Sequence, residues 1–409
     1  MYQSAASMFK NKKVLILGFG REGMSTYRFL RNMYPDMHLT IADKNEIKLD
    51  DKNVTLICGD SYMDSLNDFD IVMKSPGIAF LDVDIKDGTL VTCQTDLFLK
   101  FAPCRKVGIT GSKGKTTTST LIYDMLKEGG FDARLIGNIG VPVLEDINTV
   151  TPETIAVIEM SSHQLEFTTS SPEVAVLTNI YEEHLDHYRD GFRGYVNAKL
   201  NIVRRQKESD TFIYNATQGL DGLCDLDKIK SHKVGVKKDA PLPFAVNNEH
   251  LLGEHNRQDI LFAFEAAKHF GVDIAAAERA VEKFSGIEHR MEKVGTFRGI
   301  TFYNDCIATI PHAVECAVEA LKNVDTLIFG GMDRGLDYSE FENYLKKSNI
   351  KNLIGTPATG HKICDKIEGA PQKNVYKAAN LDEAQTVSFD KTVYALTDGS
   401  VSVTLGANF

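Results

Sequence analysis

Residues 107–118 read Val-Gly-Ile-Thr-Gly-Ser-Lys-Gly-Lys-Thr-Thr-Thr and lead into a helix-like stretch with Leu121, Ile122, Met125 and Leu126. Gly111 and Gly114 free backbone N–H groups to turn toward a polyphosphate. Ser112, Lys113 and Thr117 fill out the same loop. Lys115 is placed to reach the outer phosphates, and the Thr116 hydroxyl suits Mg²⁺. The longer form of this motif has a glycine where Ile109 stands, so the usable signature is Thr110–Thr118. A Gly/Lys-rich surface turn is the plain alternative; strand, glycines, Lys-Thr and helix falling in order speak against it. The loop predicts bound ATP or GTP and leaves its use open.

Other groups carry chemistry only in company. Glu159 ends the apolar run Ile155–Glu159, where nucleotide folds present ligands. A carboxylate there either supports Mg²⁺ or caps a helix. Thr178-Asn179-Ile180-Tyr181-Glu182-Glu183-His184-Leu185-Asp186-His187 is dense in metal- and proton-competent side chains, or is a solvated charged loop. Lys199 lies in a helical segment, where a lysine alone reads as a surface snorkeller. Near the N-terminus, Gly18-Phe19-Gly20-Arg21-Glu22-Gly23 follows Val14–Leu17, and Asp43 closes the next apolar run about 20 residues on. By itself this is a dinucleotide fingerprint that points to NAD(H).

The elements that must position these groups alternate β-like runs with helical periodicity, which predicts an α/β fold in three blocks. The first, residues 1–103, holds Val14–Leu17, Leu39–Ala42, Val54–Cys58 and Ile71–Lys74. The second, 104–286, opens with the phosphate loop and holds strands Ile155–Glu159, Val174–Leu177, Thr211–Tyr214 and Lys233–Val236, with helices over 192–206 and 256–270. The third, 287–409, holds Thr301–Tyr303, a helix near 311–322, Thr326–Phe329 and a strand at Val393–Leu396. The formal net charge of −10 argues against nucleic-acid partners and a basic membrane patch. No apolar run has spanning length. Seven cysteines without a C-x-x-C pair fit a reduced, cytoplasmic setting.

The combination is specific where its parts are not. Thr110–Thr118, Gly137-Asn138-Ile139-Gly140, Ile158-Glu159-Met160-Ser161-Ser162, Thr178–Asp186, Ala198-Lys199-Leu200, His255-Asn256, His289-Arg290-Met291-Glu292 and Asn304-Asp305 occur in the order and spacing of the Mur ligases. The chain resembles that family over essentially its whole length. The resemblance implies a Rossmann-like N-terminal UDP-binding domain, a central P-loop ATPase-like parallel sheet and a Rossmann-like C-terminal domain. It implies ATP-dependent addition of D-glutamate to UDP-N-acetylmuramoyl-L-alanine through an acyl phosphate, by a monomer. On the same ground Lys115 neutralises the transferring phosphoryl, Thr116 and Glu159 hold one Mg²⁺, and His184 with a carbamylated Lys199 holds a second. Asn138 meets the substrate, Asn256 and Asp259 the adenine, Arg290 the phosphates and Asp305 the ribose. Domain closure then completes the site. The N-terminal fingerprint is reread as a UDP site with Gly20, Arg21, Glu22, Asp43, Lys44 and Gly77 around it.

Some positions depart from the family pattern. Asp259 stands where an asparagine is usual, and Ile307 where a lysine is usual. Arg334 falls where a lysine often meets the incoming glutamate; its guanidinium suits a carboxylate. Thr309, Ser402 and Phe409 fall at the other glutamate-binding positions. Acceptor identity is therefore the open part: L-glutamate or another acidic amino acid is the alternative within the family. An NAD(P)-dependent oxidoreductase carrying a P-loop regulatory module, or a non-catalytic relative, are the alternatives outside it.

Overall fold

Short runs in which every residue is apolar and buried, such as Val14–Leu17, need a sheet covered on both faces, and parallel βαβ units supply one. The computed structural model describes residues 7–297, 299–308, 310–333, 336–393 and 402–408. It contains three such sheets. The first joins β1 (Val14–Leu17), β2 (Leu39–Asp43), β3 (Val54–Cys58), β4 (Ile71–Lys74) and β5 (Leu90–Thr92) in the order β3-β2-β1-β4-β5, all parallel. Strand order reverses beside β1, so a ligand crevice is expected at the carboxyl ends of β1 and β4. Helix Arg21–Met33 leaves from the glycine-rich turn there. A Cβ at Gly23 would lie 1.9 Å from the Gly18 carbonyl oxygen, so the third glycine of the fingerprint lets that helix pack on the turn.

The second sheet joins β6 (Arg105–Thr110), β7 (Ala133–Gly137), β8 (Ile155–Glu159), β9 (Val174–Leu177), β10 (Thr211–Asn215) and β11 (His232–Val236). Its order is β11-β10-β9-β6-β8-β7, again all parallel. Thus β6, which feeds the phosphate loop, lies between β8, which ends in Glu159, and β9, which feeds Thr178–His187. The candidate groups share one sheet edge because of that order. A single apolar cluster runs through both sheets, from Ile16 and Phe98 to Ile158 and Phe212.

The third sheet joins β12 (Glu292–Phe297), β13 (Ile300–Asn304), β14 (Thr326–Gly330), β15 (Asn352–Gly355), β16 (Asn374–Lys377) and β17 (Ser402–Asn408). The order is β12-β13-β17-β14-β15-β16; only β12 with β13 is antiparallel. Of the strand expected at Val393–Leu396 only Val393 is described, as the last residue of helix Leu381–Val393; residues 394–396 lie outside the described residues, and the last described strand is β17. The helix expected over 192–206 is also shorter, Gly191–Leu200, with turns beyond it.

The chain forms two compact units, one of residues 1–245 with 258–281, the other of 246–257 with 282–409. Among the described residues no helix is long and apolar enough to cross a membrane.

One ionic tie anchors the strand that carries the phosphate loop. Arg105, first residue of β6, bonds Glu173 through Nε (3.1 Å) and Nη2 (2.5 Å). His269, at the end of helix Gly253–His269, meets the same carboxylate at 3.0 Å. The Arg105 guanidinium also lies 4.4 Å from the Phe270 ring centroid. Burial alone would raise the Glu173 pKa, but the bonds from His269 and Arg105 outweigh it and hold it at about 2. The ionised form is favoured in the folded chain, so its stabilisation is complete above the ordinary carboxylate pKa and fades as pH falls toward about 2. Glu173→Gln is therefore expected to be less stable at neutral pH and to show a shallower acid limb. Urea unfolding at stepped pH checks this; parallel wild-type and variant curves between about pH 4.5 and 2 would refute it.

Candidate active site

The loop after β6 has the backbone its glycines require. Gly114 has φ of 82° and caps helix Lys115–Glu128, whose N-terminus favours an anion. A Cβ on Gly111 would fall 1.9 Å from Thr178 Oγ1, and one on Gly114 would fall 2.5 Å from Asp259 Oδ1. Neighbouring segments pin the loop from outside. The Lys113 N–H donates to Asn179 Oδ1 (2.8 Å), and the Lys113 carbonyl accepts from Thr178 Oγ1 (2.6 Å) and Asn179 Nδ2 (3.0 Å). Ser112 Oγ lies 2.6 Å from the Tyr195 hydroxyl and accepts from the Tyr181 N–H at 2.8 Å. Thr117 is buried, whereas Thr116, one residue into the helix, keeps partial exposure.

Three lysines converge on this loop. Lys115 Nζ folds back onto the carbonyls of Gly111 (2.9 Å) and Ser112 (3.0 Å). Lys199 Nζ reaches the same Gly111 carbonyl at 2.8 Å and lies 4.6 Å from the Tyr195 ring centroid. Lys113 Nζ pairs with Glu183 at 2.9 Å. Lys199 is only 1% exposed. Burial first, and then the positive charge of Lys115, hold its amine well below the ordinary lysine pKa, against the pull of Glu183 and Glu159. For Glu183, burial alone would raise the pKa; the Lys113 ammonium outweighs it and keeps the carboxyl below its usual range.

Glu159 ends β8 and is 1% exposed. Asn138 donates to its Oε1 at 2.7 Å, while its buried Oε2 has no hydrogen-bond partner among the described residues. A carboxylate oxygen left bare in this way suits a cation. His184 adopts a left-handed backbone, φ 55°, on the loop after β9. Its ring meets His163 edge-on, with centroids 4.9 Å apart.

At the carboxyl ends of β1 and β4 lies a crevice of about 530 Å³, lined by Gly20, Arg21, Glu22, Asp43, Lys44, Gly77 and Asn138 together with Tyr62, Asn45 and Ser75. Asp43 accepts from the Phe19 N–H (2.7 Å) and the Asn45 N–H (2.8 Å), which fixes the glycine-rich turn. Arg21 Nη2 donates to the Gly140 carbonyl at 2.8 Å. Burial raises the pKa of Glu22, which accepts from Gln164 Nε2 at 2.7 Å.

Asp259 is placed in the first unit, where it accepts from Thr118 Oγ1 (3.2 Å) and lies against the phosphate loop. In the second unit, Asn256 Nδ2 donates to the Leu252 carbonyl at 2.7 Å. Buried Asp305 accepts from the Met291 N–H at 3.0 Å, and Arg290 Nε is buried with no hydrogen-bond partner among the described residues. Thr309, Arg334 and Phe409 lie outside the described residues, and of Ser402 only the backbone, first in β17, is described. Sequence reasoning missed Tyr195, Glu183 as a partner of Lys113, and His163. Tyr195 had a signal: it stands four residues before Lys199, on the same helical face. His163 had none.

Three family models match the chain: "Mur ligase MurD-like, N-terminal domain" over residues 12–91, "Mur ligase middle domain" over 109–274 and "Mur ligase, glutamate ligase domain" over 289–407. A protein of Clostridium kluyveri named UDP-N-acetylmuramoylalanine–D-glutamate ligase is 33% identical, over 98% of this chain and 94% of its own. One of the same name from Ligilactobacillus salivarius is 34% identical, over 83% and 80%. Among solved structures, Thermotoga maritima MurF ligase with ADP aligns at TM-score 0.60 and 17% identity, over 97% of this chain and 92% of that one. Mycobacterium tuberculosis folylpolyglutamate synthase, with ADP and AMPPCP, aligns at 0.60 and 13%, over 77% and 91%. At these identities the structural likeness speaks for the fold.

Gly114 gives the most direct test of the loop. Gly114→Ala forces a side chain into left-handed backbone and against Asp259, a strain of roughly 1–3 kcal/mol. Nucleotide affinity measured by titration calorimetry is expected to fall about tenfold or more, with the far-ultraviolet spectrum unchanged. Wild-type affinity would show that the loop tolerates a Cβ there.

Proposed function

The chain belongs to the Mur ligase family, and on that premise we propose that it joins D-glutamate to UDP-N-acetylmuramoyl-L-alanine, converting ATP to ADP and phosphate. The observation that carries the chemistry is Lys199, a fully buried amine held on a phosphate-loop carbonyl among two further lysines and two carboxylates. Structural needs alone do not account for burying a lysine there.

Hydroxide is a poor leaving group, so the alanine carboxylate must be activated before an amine displaces it. Its oxygen attacks the γ-phosphorus, ADP departs, and an acyl phosphate results. The glutamate amine then attacks the carbonyl carbon, and the tetrahedral adduct expels phosphate. Lys115, released from the Gly111 and Ser112 carbonyls, offsets charge on the transferring phosphoryl. Thr116 and the bare Oε2 of Glu159 would hold one Mg²⁺; His184 and a carbamylated Lys199 would hold a second. Bound Mg²⁺ would screen the phosphate oxygens from the incoming carboxylate. An uncharged Lys199 amine is the form that adds to CO₂, releasing a proton and becoming an anionic oxygen ligand.

The crevice around Gly20, Arg21, Glu22, Asp43, Lys44, Gly77 and Asn138 takes the UDP moiety, its diphosphate at the N-terminus of helix Arg21–Met33. Asn256, Asp259, Arg290 and Asp305 complete ATP recognition, and Thr309, Arg334, Ser402 and Phe409 receive glutamate. Residues 1–103, 104–286 and 287–409 form the three domains of a cytoplasmic monomer. The similarity to ligases along nearly the whole chain does not favour an oxidoreductase with a regulatory P-loop module.

A phosphate-release assay with UDP-N-acetylmuramoyl-L-alanine and each glutamate enantiomer tests the reading. Release is expected with the D form. Equal rates with the L form would overturn the enantiomer, and amino-acid-independent ATP hydrolysis would overturn the ligase. Lys199→Ala is expected to lower kcat by about 100-fold or more, the scale of losing one electrostatic stabiliser. A ¹³CO₂-derived carbamate signal in the wild type, absent from the variant, is expected alongside; its absence from both would remove the carbamate from the mechanism.

A further inference from the structure

The partly buried ring of His163 and the buried rings of His187 and Tyr188 have no part in the reaction just described. They pack on one another, and of the three rings His163 is the one that meets His184. His163 stands four residues beyond Glu159 on the short helix Ser162–Leu165. A capping box fixes that helix: Ser161 Oγ accepts from the Gln164 N–H at 3.2 Å, and Gln164 Oε1 accepts from the Ser161 N–H at 3.0 Å. One side of the His163 ring meets His184 at 4.9 Å and 65°, and another stacks on His187 at 3.8 Å and 29°. His187 Nε2 in turn lies 3.4 Å from Glu166 Oε2, which pairs with the buried Lys74 of β4 at 3.2 Å. The chain of contacts is anchored at both ends, by a capped helix and by a buried ion pair.

His184 needs such an anchor. Its φ of 55° lies in the left-handed region, which a histidine holds only where its surroundings dictate it.

We propose that His163 is a positioning residue: its ring, braced on His187, holds the His184 imidazole in the orientation that binds a divalent cation. The inference rests on the reading of His184 as a ligand of the second ion. The flat ring matters, not its nitrogens, so phenylalanine at this position preserves the effect and an aliphatic or small residue abolishes it. Partners that orient a metal ligand are worth about 10- to 100-fold in ion affinity.

The test is Mn²⁺ binding to the full chain, followed by electron paramagnetic resonance with a non-hydrolysable ATP analogue and UDP-N-acetylmuramoyl-L-alanine present. Wild type and His163→Phe are expected to bind two ions with similar affinities. His163→Ala is expected to bind the second about 10- to 100-fold more weakly, with affinity for the ATP analogue unchanged. His163→Leu, which keeps bulk without a flat ring, replaces it if the alanine variant does not fold. Wild-type affinity for the second ion in His163→Ala or His163→Leu would overturn the inference. So would a parallel loss of analogue affinity, the mark of a merely structural role, or failure of phenylalanine to rescue. His184→Ala separates the two readings: if it keeps both ions, His184 is not a ligand, and the assignment beneath the inference is what fails.

Discussion

Three lysine side chains share one small loop, and two of them donate to the same carbonyl oxygen, that of Gly111. Crowding of like charge on this scale is unfavourable unless something relieves it. The fold relieves it in two ways. Glu159, from the end of β8, and Glu183, from the loop after β9, bring negative charge to the loop. Burial then shifts Lys199 toward its uncharged amine, so that the least exposed member of the group adds the least repulsion. On the reading proposed above, a polyphosphate would take over as partner of Lys115 and Lys113.

Strand order does much of the positioning. Because β6 lies between β8 and β9, Ile109 pairs with Glu159, and Thr178 bonds Lys113, 65 positions away in sequence, at the same sheet edge. Helix Gly191–Leu200 then packs Tyr195 and Lys199 under the loop from the side. The N-terminal crevice follows the same logic at the reversal beside β1, where Asp43 ties the glycine turn to the end of β2.

What was legible in the sequence was local. The phosphate loop, the fingerprint around Gly18 to Gly23 and the strands Val14–Leu17, Val54–Cys58, Ile71–Lys74, Ile155–Glu159 and Val174–Leu177 are each written in consecutive residues, where glycine placement and apolar runs leave little choice. Lys199 was not legible in that sense; its burial depends on a helix meeting a distant loop, and only the assembled family pattern pointed to it. The ring stack of His163 and His187 joins a residue of the short helix Ser162–Leu165 to one of the turn Leu185–His187, with no shared periodicity. Asp259 drew interest for a base and is found against Gly114 and Thr118, a contact that only the packing of helix Gly253–His269 reveals. The third sheet was hardest to read. Its edge strand β12 is mostly exposed, so its residues carry no apolar run to mark it.

In that third sheet β17 lies in the middle, bonded to β13 on one side and β14 on the other. Those two strands do not touch each other without it. During synthesis, therefore, β13 and β14 leave the ribosome long before the strand that joins them, while the two N-terminal sheets already have every strand they need. The first unit is free to fold on the growing chain, as N-terminal domains generally do, but the sheet of the second must wait for β17. The nascent chain thus carries a folded nucleotide-binding half ahead of an unfinished sheet whose unpaired inner edges are exposed to chaperones and to other chains.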